Sequence, residues 1–177
     1  NSQWVAKKIG NQIGEEAISI PDAIKENREL TVIKEGQCVG FIFPIYAWAA
    51  PEIVMNYISN VTVEKGAFCF AVCTCGEEAG LSMKKLAGKL PLNSAYSIVM
   101  PNNYIIGFDV DSEDVAKQKI ENAKTKIAEI CADITERKNV WDVNVGTKAF
   151  LKSNVASWGF NRFARNAKPY SVDETCT

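Results

Sequence analysis

The chain has 177 residues, 20 Lys and Arg against 21 Asp and Glu, 47% hydrophobic content and no His. That length suits one domain with a sizeable core, the near-neutral balance gives no reason to expect nucleic acid, and no apolar run reads as a membrane span or signal peptide. Without His, Ser-His-Asp and Cys-His catalysis are excluded and a mixed zinc site is disfavoured, so any redox or transfer chemistry would fall to a cofactor.

Trp4, Val5, Ala6, Ile9 and Ile13 recur at helical spacing, with Ser2 as an N-cap and Gly14 as a C-cap. Residues 17–20 alternate like a short strand stopped by Pro21, and Asp22 to Glu29 read as a polar helical turn and loop. Leu30 to Ile33 suggest an edge segment. Gln37 to Phe43 form a continuous apolar run, the pattern of a strand buried on both faces. Pro51 to Ser59 then read as a helix with proline at its first position. Ala67 to Cys73 repeat the doubly buried pattern, and the stretch from Glu77 to Leu90 reads as a helix. A third strand, Ala95 to Met100, precedes a long helix over Glu113 to Arg137, capped by Asp111 or Ser112. Strand–helix alternation of this kind implies parallel strands with helices on both faces.

After residue 142 the rhythm breaks. Residues 143–172 hold five basic side chains (Lys148, Lys152, Arg162, Arg165, Lys168) and no acid, interleaved with Phe150, Leu151, Trp158, Phe160 and Phe163. The division is therefore a domain over 1–142 and a basic helical extension over 143–177. The six cysteines, 38, 69, 73, 75, 131 and 176, lie mostly in apolar patterns, which fits reduced thiols in a cytoplasmic protein better than disulfides. Cys73 and Cys75 form a Cys-x-Cys pair without further nearby ligands, a poor metal site.

Three loops follow apolar segments or open helices, at the edge where parallel α/β sheets bind ligands. Asn1 and Ser2 sit at a helix N-terminus, which suits a phosphate or serves only as a cap. Pro44, Ile45, Tyr46, Ala47 and Trp48 carry two aromatic rings past a strand end, apt for stacking on a flat ligand or for packing on a neighbouring loop. Thr74, Cys75, Gly76 and Gly80 follow the next strand, with glycines that permit close backbone approach. Glu77 and Glu78 either set the charge of that loop or complement a helix dipole.

Taken in order, NSQWVAKKI, FPIYAWAAP, CTCGEEAG, MPNNY and DETC resemble the flavodoxin-like domain of microbial proteins that fuse a flavodoxin to a ferredoxin with two iron–sulfur clusters. The resemblance covers nearly the whole chain. It implies a flavodoxin-like three-layer α/β sandwich with a mostly parallel sheet, followed by the helical extension. It also implies an FMN-binding flavoprotein for electron transport, with the residues of the three loops as cofactor contacts; of the two rings, Trp48 is expected to stack, because its indole face is larger and Pro51 restrains the loop behind it. Main-chain groups from Ile45 to Trp48 would meet the flavin N5 edge, and the turn at Cys73 to Gly76 its pyrimidine edge. The family pattern places a strand and a Gly-Thr-Gly half-loop before Asn1. It places a cysteine-rich segment after Thr177, with Cys176 as a first ligand of 4Fe-4S clusters in the full-length protein. The partner expected is a redox protein or the fused ferredoxin domain, with no nucleic acid and no membrane; a homodimer is left open. Two other classes stay open beside the carrier: a flavin-free α/β interaction module, and an oxidoreductase that reduces a small substrate such as a quinone.

Overall fold

The computed structural model describes residues 1–102 and 109–164. Its first element, α1, spans Ser2–Ile13 and ends where Gly14 adopts φ 79° and returns its N–H to the Gly10 carbonyl. Asn1, rather than Ser2, occupies the N-cap position, and it makes no side-chain cap. Ser2 is the first helical residue, and its hydroxyl is drawn across the fold to Thr74 Oγ1 at 2.7 Å.

The strand expected over residues 17–20 does not form. Residues 14–19 are exposed coil, and α2 begins at Ile20 and runs to Lys25. Ser19 and Pro21 explain the difference: the serine hydroxyl accepts from Asp22 N–H, and proline fits the first helical turn. A short alternating run has little to hold it extended when no neighbouring strand pairs with it.

The strand β1 (Val32–Ile33) pairs in parallel with β3 (Thr62–Val63), a separate two-stranded ladder. The main sheet holds β2 (Cys38–Pro44), β4 (Phe68–Cys75), β5 (Ser94–Val99) and β6 (Trp141–Asp142), in that spatial order and all parallel. The strands carrying Phe41 and Phe70 are therefore parallel neighbours. In β4 every residue is buried, as its unbroken apolar run requires of a central strand. Between the strands lie α3 (Glu52–Ile58), α4 (Ser82–Ala87) and α5 (Glu113–Thr135). The helix expected from Glu77 is thus confined to its second half, because residues 77–81 are used in the site described below.

Two cores hold the layers together. On one face Val5 and Ile9 of α1 and Ile127 and Ile130 of α5 pack against Phe70, Val72 and Ile98. On the other, Val54 and Ile58 of α3 and Met83 and Leu86 of α4 pack against Phe41, Phe43 and Cys73. The helix α5 is capped by Ser112, whose Oγ accepts from Val115 N–H at 3.4 Å. Asp111, the alternative cap, is turned elsewhere.

Beyond β6 the chain forms a helical arm of alternating α and π turns: Ala149–Leu151, Lys152–Ala156, Ser157–Gly159 and Phe160–Ala164. The described part of the extension is helical from Ala149 to Ala164. Among the described residues no helix is long and apolar enough to cross a membrane.

Candidate functional site

The carboxyl ends of β2 and β4 and the N-terminus of α1 converge. Ser2 Oγ meets Thr74 Oγ1 at 2.7 Å, and Asn1 Nδ2 donates to the Pro101 carbonyl at 3.3 Å. The first turn of α1 contains no acidic residue, so its free N–H groups and dipole face no competing negative charge there.

Past Pro44, Ile45 N–H donates to the Thr74 carbonyl at 2.8 Å, which ties the second loop to the third. The chain then reverses within four residues. Tyr46 and Ala49 exchange both backbone hydrogen bonds, at 2.9 and 3.0 Å, across Ala47 and Trp48 at φ 45° and 57°. Two successive left-handed residues define a type I′ turn, a conformation usually given to Asn or Gly. An alanine and a tryptophan there cost roughly 1–2 kcal/mol each, and backbone strain of this kind clusters at functional sites. The turn's own bonds use the N–H and C=O of Tyr46 and Ala49, which leaves the peptide groups of Ala47 and Trp48 outside that ladder.

The two rings differ in surroundings. Tyr46 is 62% exposed. Trp48 is half-buried: its Nε1–H donates to Glu78 Oε1 at 2.9 Å, and Lys152 Nζ lies 5.6 Å from its ring centroid. Glu78 also accepts from Lys152 Nζ and from Thr147 N–H at 3.2 Å. One carboxylate therefore clasps the second loop, the third loop and the helical arm. Burial pushes the Glu78 carboxyl up, but the hydrogen bonds from Lys152 and Trp48 outweigh it and hold the group below the usual glutamate range. Glu78 is neither in a helical first turn nor a free negative charge; Lys152 neutralises it.

Gly80 adopts φ 60°, and a Cβ there would collide with Ser153 Oγ and press on Trp48. The close approach that glycine permits at this position is taken up by the arm and by Trp48. Among the described residues, an added Cβ at Gly76 would meet nothing nearer than Asn102, at 3.8 Å.

Behind the third loop stands a pair that the sequence did not single out. Lys119 of α5 bonds the Gly76 carbonyl at 3.2 Å and Asp111 Oδ2 at 2.7 Å, and the same Asp111 oxygen accepts from Asn102 N–H at 2.8 Å. The Asn102 amide and then Lys119 hold the Asp111 carboxyl below the usual aspartate range. This link fixes Gly76 against the segment after β5. Asp111 resembled a helix cap in sequence, and nothing about Lys119 set it apart from the other lysines of α5. The clasp of Glu78 by Lys152 and the bond from Leu81 N–H to Ser153 Oγ, 2.8 Å, likewise join residues too far apart in sequence to be matched by pattern.

Thr74 and Cys75 belong to β4, and both are buried. Burial, and then the nearby Glu78 charge, raise the Cys75 thiol to about 11, an effect that Lys119 and the Glu77 N–H partly offset. Burial likewise raises Cys69 to about 12 and Cys73 further still. These thiols stay protonated at neutral pH, which suits packing rather than metal ligation or nucleophilic attack. Among the described residues no group of three His, Cys, Asp or Glu could hold a metal. Cys176 lies outside the described residues, as does the part of MPNNY from residue 103 onward.

A hollow of about 330 Å³ opens on the far side of the third loop, lined by Gly80, Leu81, Met83, Lys84, Trp141, Val143 and Val145. It is apolar, and among the described residues that line it Lys84 is the one cation. The polar groups that converge are instead those of Ser2, Thr74 and Ile45.

Comparison with protein-family models, curated proteins and solved structures finds no match for the chain.

Proposed function

We propose that the chain is a flavodoxin-like FMN-binding domain that carries electrons, its flavin held where Asn1, Ser2, the Tyr46–Ala49 turn and the Thr74–Gly76 segment converge. The observation that carries this reading is the strained Ala47-Trp48 turn with its exposed Tyr46, tied through Ile45 to Thr74, whose side chain in turn bonds Ser2 at the start of α1. The donor set fits the cofactor's chemistry. A phosphate monoester suits a helix N-terminus with a serine hydroxyl and no acid in its first turn, and an aromatic ring suits the flat face of a flavin.

FMN, when bound, supplies one- and two-electron transfer. The protein's own residues would bind and orient it. Ser2 donates to the phosphate while Thr74 holds its hydroxyl in place. Tyr46 offers its free face to the ring, and Trp48, braced by Glu78, backs the turn rather than standing free. Ala47 and Trp48 offer peptide groups that the turn does not use. Lys119 fixes Gly76 so that the loop keeps its shape. The redox partner, an iron–sulfur protein or a ferredoxin domain of the same polypeptide, remains part of this proposal through the sequence resemblance, with Cys176 as its first cluster ligand.

A second reading, a flavin-free interaction module, is favoured by one observation: Trp48, Gly80 and Glu78 are engaged by the helical arm. Titration of the full-length gene product with FMN, followed by flavin fluorescence, separates the two. Saturable quenching at one equivalent supports the carrier, and unchanged fluorescence supports the module.

A further inference from the structure

The helical arm is inverted. Ser153 and Ser157 are buried against the domain, whereas Phe150, Leu151, Val155, Trp158 and Phe163 stand between 53% and 73% exposed. The orientation is fixed by polar bonds: Ser153 Oγ accepts from Leu81 N–H at 2.8 Å, and the Ser153 carbonyl accepts from Lys85 Nζ at 2.6 Å. Outward, Trp158 and Phe163 meet edge to face at 6.1 Å, and the Arg162 guanidinium lies 5.6 Å from the Phe163 ring. Preassembled aromatic and arginine clusters of this kind form the centres of protein interfaces. An apolar ridge this exposed needs a cover.

Charge indicates what the cover is. The ridge is flanked by exposed Lys148 and Arg162, in a stretch, 143–172, that has no acidic residue. The rest of the chain leans the other way: residues 109–116 carry four acids, of which Asp111 and Glu113 are paired with Lys119 and Lys117, and residues 14–31 carry Glu15, Glu16, Asp22, Glu26 and Glu29 against Lys25 and Arg28. All five acids are exposed, Arg28 is already paired with Glu26, and Ile18 beside them is 60% exposed. Glu15 sits near Cys38, at the amino end of the sheet, while the arm is fixed beside Glu78 and Leu81 at the carboxyl end. The basic aromatic ridge and the acidic apolar face thus lie at opposite ends of one molecule.

We propose that a second copy of this chain covers the arm, its Glu15–Glu29 face receiving the Phe150, Trp158 and Phe163 ridge, reciprocally, in a closed pair. The proposal is independent of the flavin. It rests on the outward side of the arm, and its test reads the oligomeric state whether or not FMN binds.

The test is sedimentation velocity on the full-length protein over micromolar to sub-millimolar concentrations, at low and high salt. A dimer that weakens about tenfold in high salt is expected, because the flanking charges are exposed and screened. Trp158→Ser with Phe163→Ser should leave a monomer of unchanged circular dichroism. Two charge-reversed variants sharpen the test: one carries Lys148→Glu and Arg162→Glu, the other Glu26→Lys and Glu29→Lys. Each alone should be monomeric, and their mixture should pair. A monomer under all conditions overturns the proposal, as does a dimer indifferent to the arm substitutions or a mixture that fails to pair. A monomer whose arm binds phosphatidylserine vesicles also overturns it, in favour of a membrane surface.

Discussion

At the scale of single residues the account rests on Ser2 and Tyr46. A hydrogen bond to a charged group contributes roughly 1.5–3 kcal/mol, so Ser2→Ala should weaken FMN binding by about tenfold or more. Riboflavin, which lacks the phosphate, should bind both forms alike. Equal losses for the two ligands would mean that Ser2 acts only through the fold. Tyr46→Ala should weaken both ligands and reduce the quenching of flavin fluorescence, since ring stacking contributes roughly 0.5–1.5 kcal/mol beyond area burial. Trp48→Ala should act differently. It removes the indole donor to Glu78 and the ring beneath Lys152, so its main effect should be a lower melting temperature. If Trp48→Ala abolishes quenching and Tyr46→Ala does not, the two roles are reversed.

At the scale of elements, two contacts decide how firmly the site is held. The first is within the sheet. Gly40 of β2 lies directly opposite Phe70 of β4, and a Cβ on Gly40 would collide with the Phe70 ring. Gly40→Val should therefore destabilise the domain by about 1–3 kcal/mol through overpacking, measurable by urea unfolding; a neutral outcome would mean that Phe70 has room to swing aside. The second contact is the clasp of Glu78, which joins the arm to both loops. Its carboxyl sits below the ordinary glutamate value of about 4.3 in the folded protein. The stabilisation it brings is therefore complete above that value and is lost as pH falls through the lower, folded value. Glu78→Gln should remove this pH dependence. Unfolding curves for the two forms should differ at neutral pH and converge in acid; curves that stay parallel would show that the clasp contributes nothing.

At the scale of the whole molecule, the sequence revealed what local patterning controls. The runs around Phe41 and Phe70 declared parallel strands, and the stripe on α5 declared its helix, but only the Phe70 strand is buried on both faces: β2 ends the sheet, and of its residues only Phe41 and Phe43 are buried. The short pairs Thr62–Val63 and Trp141–Asp142 were not legible, since two residues carry no periodicity and their pairing is decided by partners far away. Residues 17–20 misled because alternation alone cannot supply a neighbouring strand. In the site, the converging loops were legible from strand ends, prolines and aromatic residues. The Asp111–Lys119 brace and the Glu78–Lys152 clasp were not, because ion pairs across a fold leave no spacing to read. The arm was legible as basic and aromatic but not as inverted, since which face turns inward depends on Leu81 and Lys85.

The measurement that bears most directly on the central claim is the visible spectrum of the full-length gene product, purified and then titrated with FMN after removal of any bound chromophore. The account predicts flavin absorbance released by denaturation as FMN, and saturable rebinding at one equivalent with riboflavin markedly weaker. A colourless protein that leaves FMN fluorescence unchanged throughout the titration would contradict it.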